Sequence, residues 1–173
     1  MTVYKDLIKF DTCAGKPDYI DITDKVRESV KKSGVQEGIC VVISCHTTCA
    51  IFSDEYDHDM TPTGDTFLQA DLSDGLNRIF PEQHDWSTYR YPGMDHFREV
   101  ESWPDAESYL PHMDRTMLWN GDAHLRSTLI GGNQTFEVEA GELQMNGLAS
   151  IFLADFDRTR ERTRKVKIIV IGE

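Results

Sequence analysis

Positive charge is scarce in this chain. Eighteen lysines and arginines stand against 30 aspartates and glutamates, a formal net charge of −12 over 173 residues. A surface of that sign disfavours nonspecific binding to nucleic acid or anionic membrane, both of which need a net basic face. It leaves room for a small phosphorylated ligand, which needs only a few local donors. Long apolar runs are also missing, and none approaches the roughly 20 residues of a membrane-spanning helix. The opening residues, Met1 to Asp6, lack the basic stretch and apolar core of a secretory signal, which points to the cytoplasm. Neither Gly-x-Gly-x-x-Gly nor Gly-x-x-x-x-Gly-Lys-Ser/Thr occurs, so no nucleotide cofactor is expected, and there is no Gly-x-Ser-x-Gly elbow for a nucleophilic serine. The four cysteines make neither a disulfide framework nor a Cys-x-x-Cys knuckle. Cys13, Cys40, Cys45 and Cys49 read as buried free thiols.

What is present suits one domain, 1–173, with 39% hydrophobic residues. Apolar, β-branched segments predict strands over 3–10, 39–45, 134–139, 149–156 and 166–171. Ala140-Gly141-Glu142 reads as a hairpin turn. Two main helices are expected. One spans 21–32, with Ile22, Val26 and Val30 on one side, Asp21 or Thr23 as cap and Gly34 as stop. The other spans 65–80, with a buried stripe of Leu68, Leu72, Leu76, Ile79 and Phe80 ended by Pro81. Residues 82–111 show no steady period, yet they carry Trp86, Tyr89, Tyr91, Phe97, Trp103 and Tyr109. That aromatic content predicts an ordered excursion packed on the body or on a neighbouring subunit. Strands, then helices, then strands give an α+β class, β-sheets in a sandwich with helices.

Two stretches carry the polar candidates. The run from Gly38 to Cys45 stops at His46, Thr47 and Thr48. A second, from Asn120 to Gly132, holds His124 and Arg126, read here as the end of a strand. On a strand, positions i and i+2 share a face, so His124 and Arg126 would present one surface suited to a phosphate or carboxylate. His46, His112 and His124 could together hold a divalent ion such as Zn, Mn or Ni, or serve as acid–base groups. Glu55 and Asp57 follow His46 and could orient an imidazole or take a proton. Residues 157–165, from Asp157 to Lys165, form the only basic run.

At these residues the chain resembles the YjbQ family, the secondary thiamine-phosphate synthase family. The likeness rests on Cys45-His46-Thr47-Thr48-Cys49-Ala50 with Glu55, on the segment from Asn120 to Gly131, and on Ile151 to Asp157 followed by arginines and a last strand ending Gly172-Glu173. It implies a compact α+β fold, a homotrimer, and a histidine pocket near subunit interfaces that takes a metal or an anion. Carried over, that pocket comprises His46, Thr47, Glu55, Asp57, His112, His124 and Arg126. Within it His46, His124, Glu55 and Asp57 would be catalytic, Thr47, Arg126 and Asn120 substrate-binding, and His46, His112 and His124 metal ligands. The activity implied is a thiamine-phosphate-synthase-like transfer on a small phosphorylated heterocycle. Two alternatives stand beside it: a metal-dependent hydrolase at the same histidines, and a non-catalytic trimer that binds a metabolite or metal. The chain departs from the family in having Arg126 for a lysine, Leu148-Ala149 for a Trp-Gln pair, and a longer excursion.

Overall fold

The computed structural model describes residues 1–173. The core lies between two antiparallel sheets. The larger is built from β1 (Thr2–Thr12), β8 (Arg162–Gly172), β3 (Gly38–Ser44), β5 (Asn133–Glu139) and β6 (Glu142–Leu143), hydrogen-bonded in that order. The smaller places β7 (Ala149–Asp155) between β2 (Asp18–Asp21) and β4 (Cys49–Glu55). Strand alternation sets the faces. Tyr4 pairs with Val170 and Val170 with Cys40, so one cross-strand row after another points Tyr4, Cys40, Val42, Ile168 and Val170 inward. The opposite parity, Val3, Leu7 and Ile39, points out and is about half exposed.

β7 is buried on both faces, as its unbroken apolar sequence requires. Ile151 and Leu153 join the inter-sheet core, beneath Val26 and Val30 of α1 (Thr23–Ser33). Ala154 and the following Phe156 turn the other way, against Ala50, against Leu76 of α2 (Phe67–Ile79) and against Ala123 of α4 (Gly121–Ile130). Gly34 closes α1 in the left-handed conformation at φ 71°, and Asp21 accepts the Thr23 backbone N–H at 2.9 Å. Ala140 (φ 51°) and Gly141 (φ 75°) make the predicted turn between β5 and β6. No helix is long and apolar enough to cross a membrane.

Four departures from the sequence reading matter. There are four α-helices, not two. The stretch bearing His124 is α4, not a strand, because its inward side is the helical set Ala123, Ser127 and Ile130. Ser127 donates to the Cys49 carbonyl at 2.7 Å, while Leu125 and Leu129 face outward. On α2 the inward positions are Gln69, Leu72 and Leu76; Leu68 and Ile79 of the expected stripe are exposed. Of the thiols, Cys40 and Cys49 are buried, with burial pushing Cys40 up to about 12, whereas Cys13 and Cys45 are exposed.

Residues 82–118 form an ordered unit. It contains α3 (Met94–Glu101) and three single 3-10 turns. Phe97, Val100, Leu110 and Leu118 make a small separate core, with Met117 and Trp119 packed against it.

Candidate functional site

β8 carries the basic run into the site. Its even-numbered residues face the core, and Val166, Ile168 and Val170 fill it. Towards the start of the strand the apolar partners run out, and arginines take the same parity. Arg164 is buried and paired with Asp155 through two hydrogen bonds, Nε to Oδ2 at 2.6 Å and Nη2 to Oδ1 at 2.7 Å. Arg162 pairs with Asp157 at 2.7 Å. Asp157 also accepts from Asn120 Nδ2 at 2.7 Å, and these partners hold its carboxyl below its ordinary range despite burial. Arg160 differs. Its Nη1 donates to the Tyr109 carbonyl at 3.0 Å, and its guanidinium lies 5.9 Å from the centre of the Tyr109 ring. It takes part in no ion pair, which leaves its charge free for a ligand.

These arginines line one side of an open cavity of about 570 Å³. The turn after β3 brings in His46. Its Nε2 accepts the backbone N–H of Lys165 at 2.8 Å, and burial together with Arg164 lowers its pKa. A neutral imidazole that accepts at Nε2 must carry its proton on Nδ1, so His46 is a donor at its other nitrogen. The first turn of α4 supplies His124, whose pKa is lowered by burial, with Asp157 and the Thr47 backbone acting the other way. Its ring stands edge-on to Tyr91 at 5.2 Å. Tyr91 also meets His96, with ring centres 5.1 Å apart and the Tyr91 hydroxyl 3.2 Å from His96 Nε2.

His46, Thr47, Asn120 and His124 therefore share one cavity. The remaining nominated residues lie elsewhere. His112 belongs to a 3-10 turn of the excursion, its side chain almost fully exposed beside Glu107. Glu55 ends β4, six residues beyond Cys49, or about 20 Å of extended strand. Asp57 accepts the N–H groups of Asp59 and Leu68, both at 3.0 Å, and shapes the approach to α2. Arg126 is buried. On a helix, residues two apart point in nearly opposite directions, so Arg126 turns inward where His124 faces the cavity. It donates to Asn77 Oδ1 at 2.6 Å and to the Phe80 carbonyl at 2.7 Å, beside Asp122 at 3.4 Å.

The proposed ion-binding trio does not fit this arrangement. His112 is outside the cavity, the Nε2 lone pair of His46 is occupied, and no three His, Cys, Asp or Glu side chains converge as a ligand set. Tyr91, His96 and Arg160 also line the cavity, although neither the aromatic excursion nor the basic run marks them out as site residues in the sequence. The basic run was visible in the sequence; its convergence with two histidine segments required the β3–β8 register, in which Ser44 opposes Val166.

The family model for UPF0047 protein YjbQ-like matches residues 7–173. The chain belongs to the YjbQ family. A UPF0047 protein of Methanothermobacter thermautotrophicus is 28% identical over all of this chain and 95% of its own length. A second, from Methanocaldococcus jannaschii, is 28% identical over 98% of each. Among solved structures, a YbjQ-like protein of unknown function from Sulfolobus solfataricus superposes with a TM-score of 0.69 at 27% identity, covering 99% of this chain and 98% of the other. A YjbQ/UPF0047 family protein of Clostridium acetobutylicum gives 0.65 at 27% identity, covering 95% and 99%. Leu148 and Ala149, where the resemblance leads one to expect a Trp-Gln pair, lie at the opposite end of β7 from Asp155. Leu148 lines a different cleft, with Arg27, Tyr56 and His58.

Proposed function

We propose that this cavity binds a small phosphorylated heterocycle and acts on it by acid–base chemistry, in a transferase of the thiamine-phosphate-synthase type. The observation that supports this reading is Arg160, a cation without an ionic partner, in the cavity that also contains His46, His96 and His124. Arg160 takes the phosphate, the role the sequence reading gave to Arg126. An arginine in a partly desolvated pocket is suited to a phosphate because its guanidinium donates along two parallel bonds. His124, kept neutral by burial, is the base at pH 7, and the Nδ1–H of His46 is the matching donor. No step is assigned to a metal, because the nominated ligands do not converge. The family resemblance further implies a homotrimer, and we take that as the assembly.

The test is paired. Inorganic phosphate is titrated calorimetrically into wild type and Arg160→Ala, and thiamine-phosphate formation is assayed in wild type and His124→Ala. At least tenfold weaker phosphate binding in Arg160→Ala, and loss of turnover in a folded His124→Ala, are the expected results. Unchanged phosphate affinity in the first variant removes Arg160 from the site. Unchanged turnover in the second removes the acid–base assignment.

A further inference from the structure

The cavity has two walls of different origin. One is the sandwich itself, which provides His46 and the arginines of 160–164. The other comes from the 82–118 unit, which contributes Tyr91, Val100, Trp103, Tyr109 and Leu118. Val100 and Leu118 belong to the unit's own core, so this wall is rigidly backed from within the same segment. Trp103 stands edge-on to Tyr109 with centres 5.1 Å apart, and the guanidinium of Arg160 lies over Tyr109. The Trp103 indole is oriented by a hydrogen bond from Nε1 to Glu99 at 3.2 Å and remains about one-third exposed. Trp103 and Tyr109 are each about one-third exposed, but the Arg160 guanidinium lies over Tyr109, so Trp103 is the ring of the pair with no cation against it. Its indole is the larger π surface, and it lines the same cavity as Arg160.

We propose that the 82–118 unit is the specificity element of this pocket, and that Trp103 reads a flat aromatic ring attached to the phosphate held by Arg160. This rests on the anion-binding reading of Arg160 and adds the part of the ligand which that residue cannot select. A guanidinium binds any phosphate monoester alike, whereas an indole face distinguishes a planar π system from a saturated ring of equal size. Stacking of a ring on an aromatic side chain gives on the order of tenfold in affinity or more. Trp103 is thus a ligand-contacting residue with no part in proton transfer.

The experiment compares three probes by calorimetry: inorganic phosphate, cyclohexyl phosphate and phenyl phosphate. The proteins are wild type, Trp103→Ala and Trp103→Phe, each with its fold checked by circular dichroism. Wild type should bind phenyl phosphate about tenfold tighter than cyclohexyl phosphate. Trp103→Ala should lose that preference and keep its affinity for inorganic phosphate, and Trp103→Phe should restore most of it. Equal affinity of wild type for the two ring phosphates overturns the proposal while leaving Arg160 as an anion site. A parallel loss of inorganic phosphate binding in Trp103→Ala also overturns it, since Trp103 would then act only by propping Tyr109 and Arg160. Absence of binding by all three probes in wild type overturns the anion-binding reading, and this proposal with it.

Discussion

His46 and His124 are both held neutral by burial, and this sets how stability responds to pH. In each, the folded-state pKa lies below the ordinary value of 6.5. Above that value both folded and unfolded chains are neutral at these sites, and the two rings are indifferent to pH. As pH falls through 6.5 the unfolded chain takes up protons first, so folding loses free energy until the lower folded-state values are passed. Chemical denaturation between pH 8 and 5 should therefore show stability declining below about pH 6.5, with a shallower decline in His124→Asn. An equal slope in wild type and variant would show that this ring does not carry the effect. Arg126 gives the contrary lesson at the same scale. It has the right chemistry for a phosphate, but it is buried against Asn77, Phe80 and Asp122 and does not line the cavity that holds His124.

Among the elements, apolar β-branched runs mark β1, β3, β5 and β7 to within two residues of their observed bounds, whereas β2, β4 and β6 have no such run and β8 begins four residues before its apolar part, at Arg162. α4 was not readable, because its pattern is inverted. Small Ala123 and Ser127 face in, where the helix must approach Ala50 and Cys49 closely, while Leu125 and Leu129 face solvent. An apolar periodicity points the wrong way in such a helix. Residues 82–118 were recognisable as ordered from their aromatics, but α3 and the 3-10 turns are stabilised by a local core that has no regular spacing. Close packing of elements also explains two glycines. A side chain at Gly38 would run into the Ile171 carbonyl, and one at Gly172 into the Glu37 carbonyl, across paired strands. Gly38→Ala should lower unfolding free energy by about 1–3 kcal/mol in urea titration, the usual cost of overpacking. A neutral result there would mean that the β3–β8 spacing relaxes freely.

For the molecule as a whole, a charge of −12 coexists with a cavity whose wall holds three arginines. Composition spoke only to the average surface, and the pocket is its exception. The outer face of the larger sheet is a second contrast. Val3, Ile171 and Ile39 form one cross-strand row, and Leu7 lies four residues further along β1, opposite Lys167. Half-exposed aliphatic side chains gathered on one sheet face suit contact between subunits. Light scattering should give three times the 19.8 kDa chain mass, and Leu7→Glu should shift it towards a single chain. A monomeric wild type would contradict the trimer, and a Leu7→Glu variant that stays trimeric would move the interface to another face.

The bond from the Lys165 amide to His46 has a consequence for how this site can vary. The donor is main chain, present for any residue but proline at position 165, and the strand pairing that aims it is common to the whole sheet. The handedness of the imidazole, which nitrogen offers a proton and which receives one, is thereby inherited from the backbone and needs no second side chain to maintain it. Position 165 can change in size while the ring keeps facing the cavity with the same nitrogen, but a positive charge there helps keep His46 neutral.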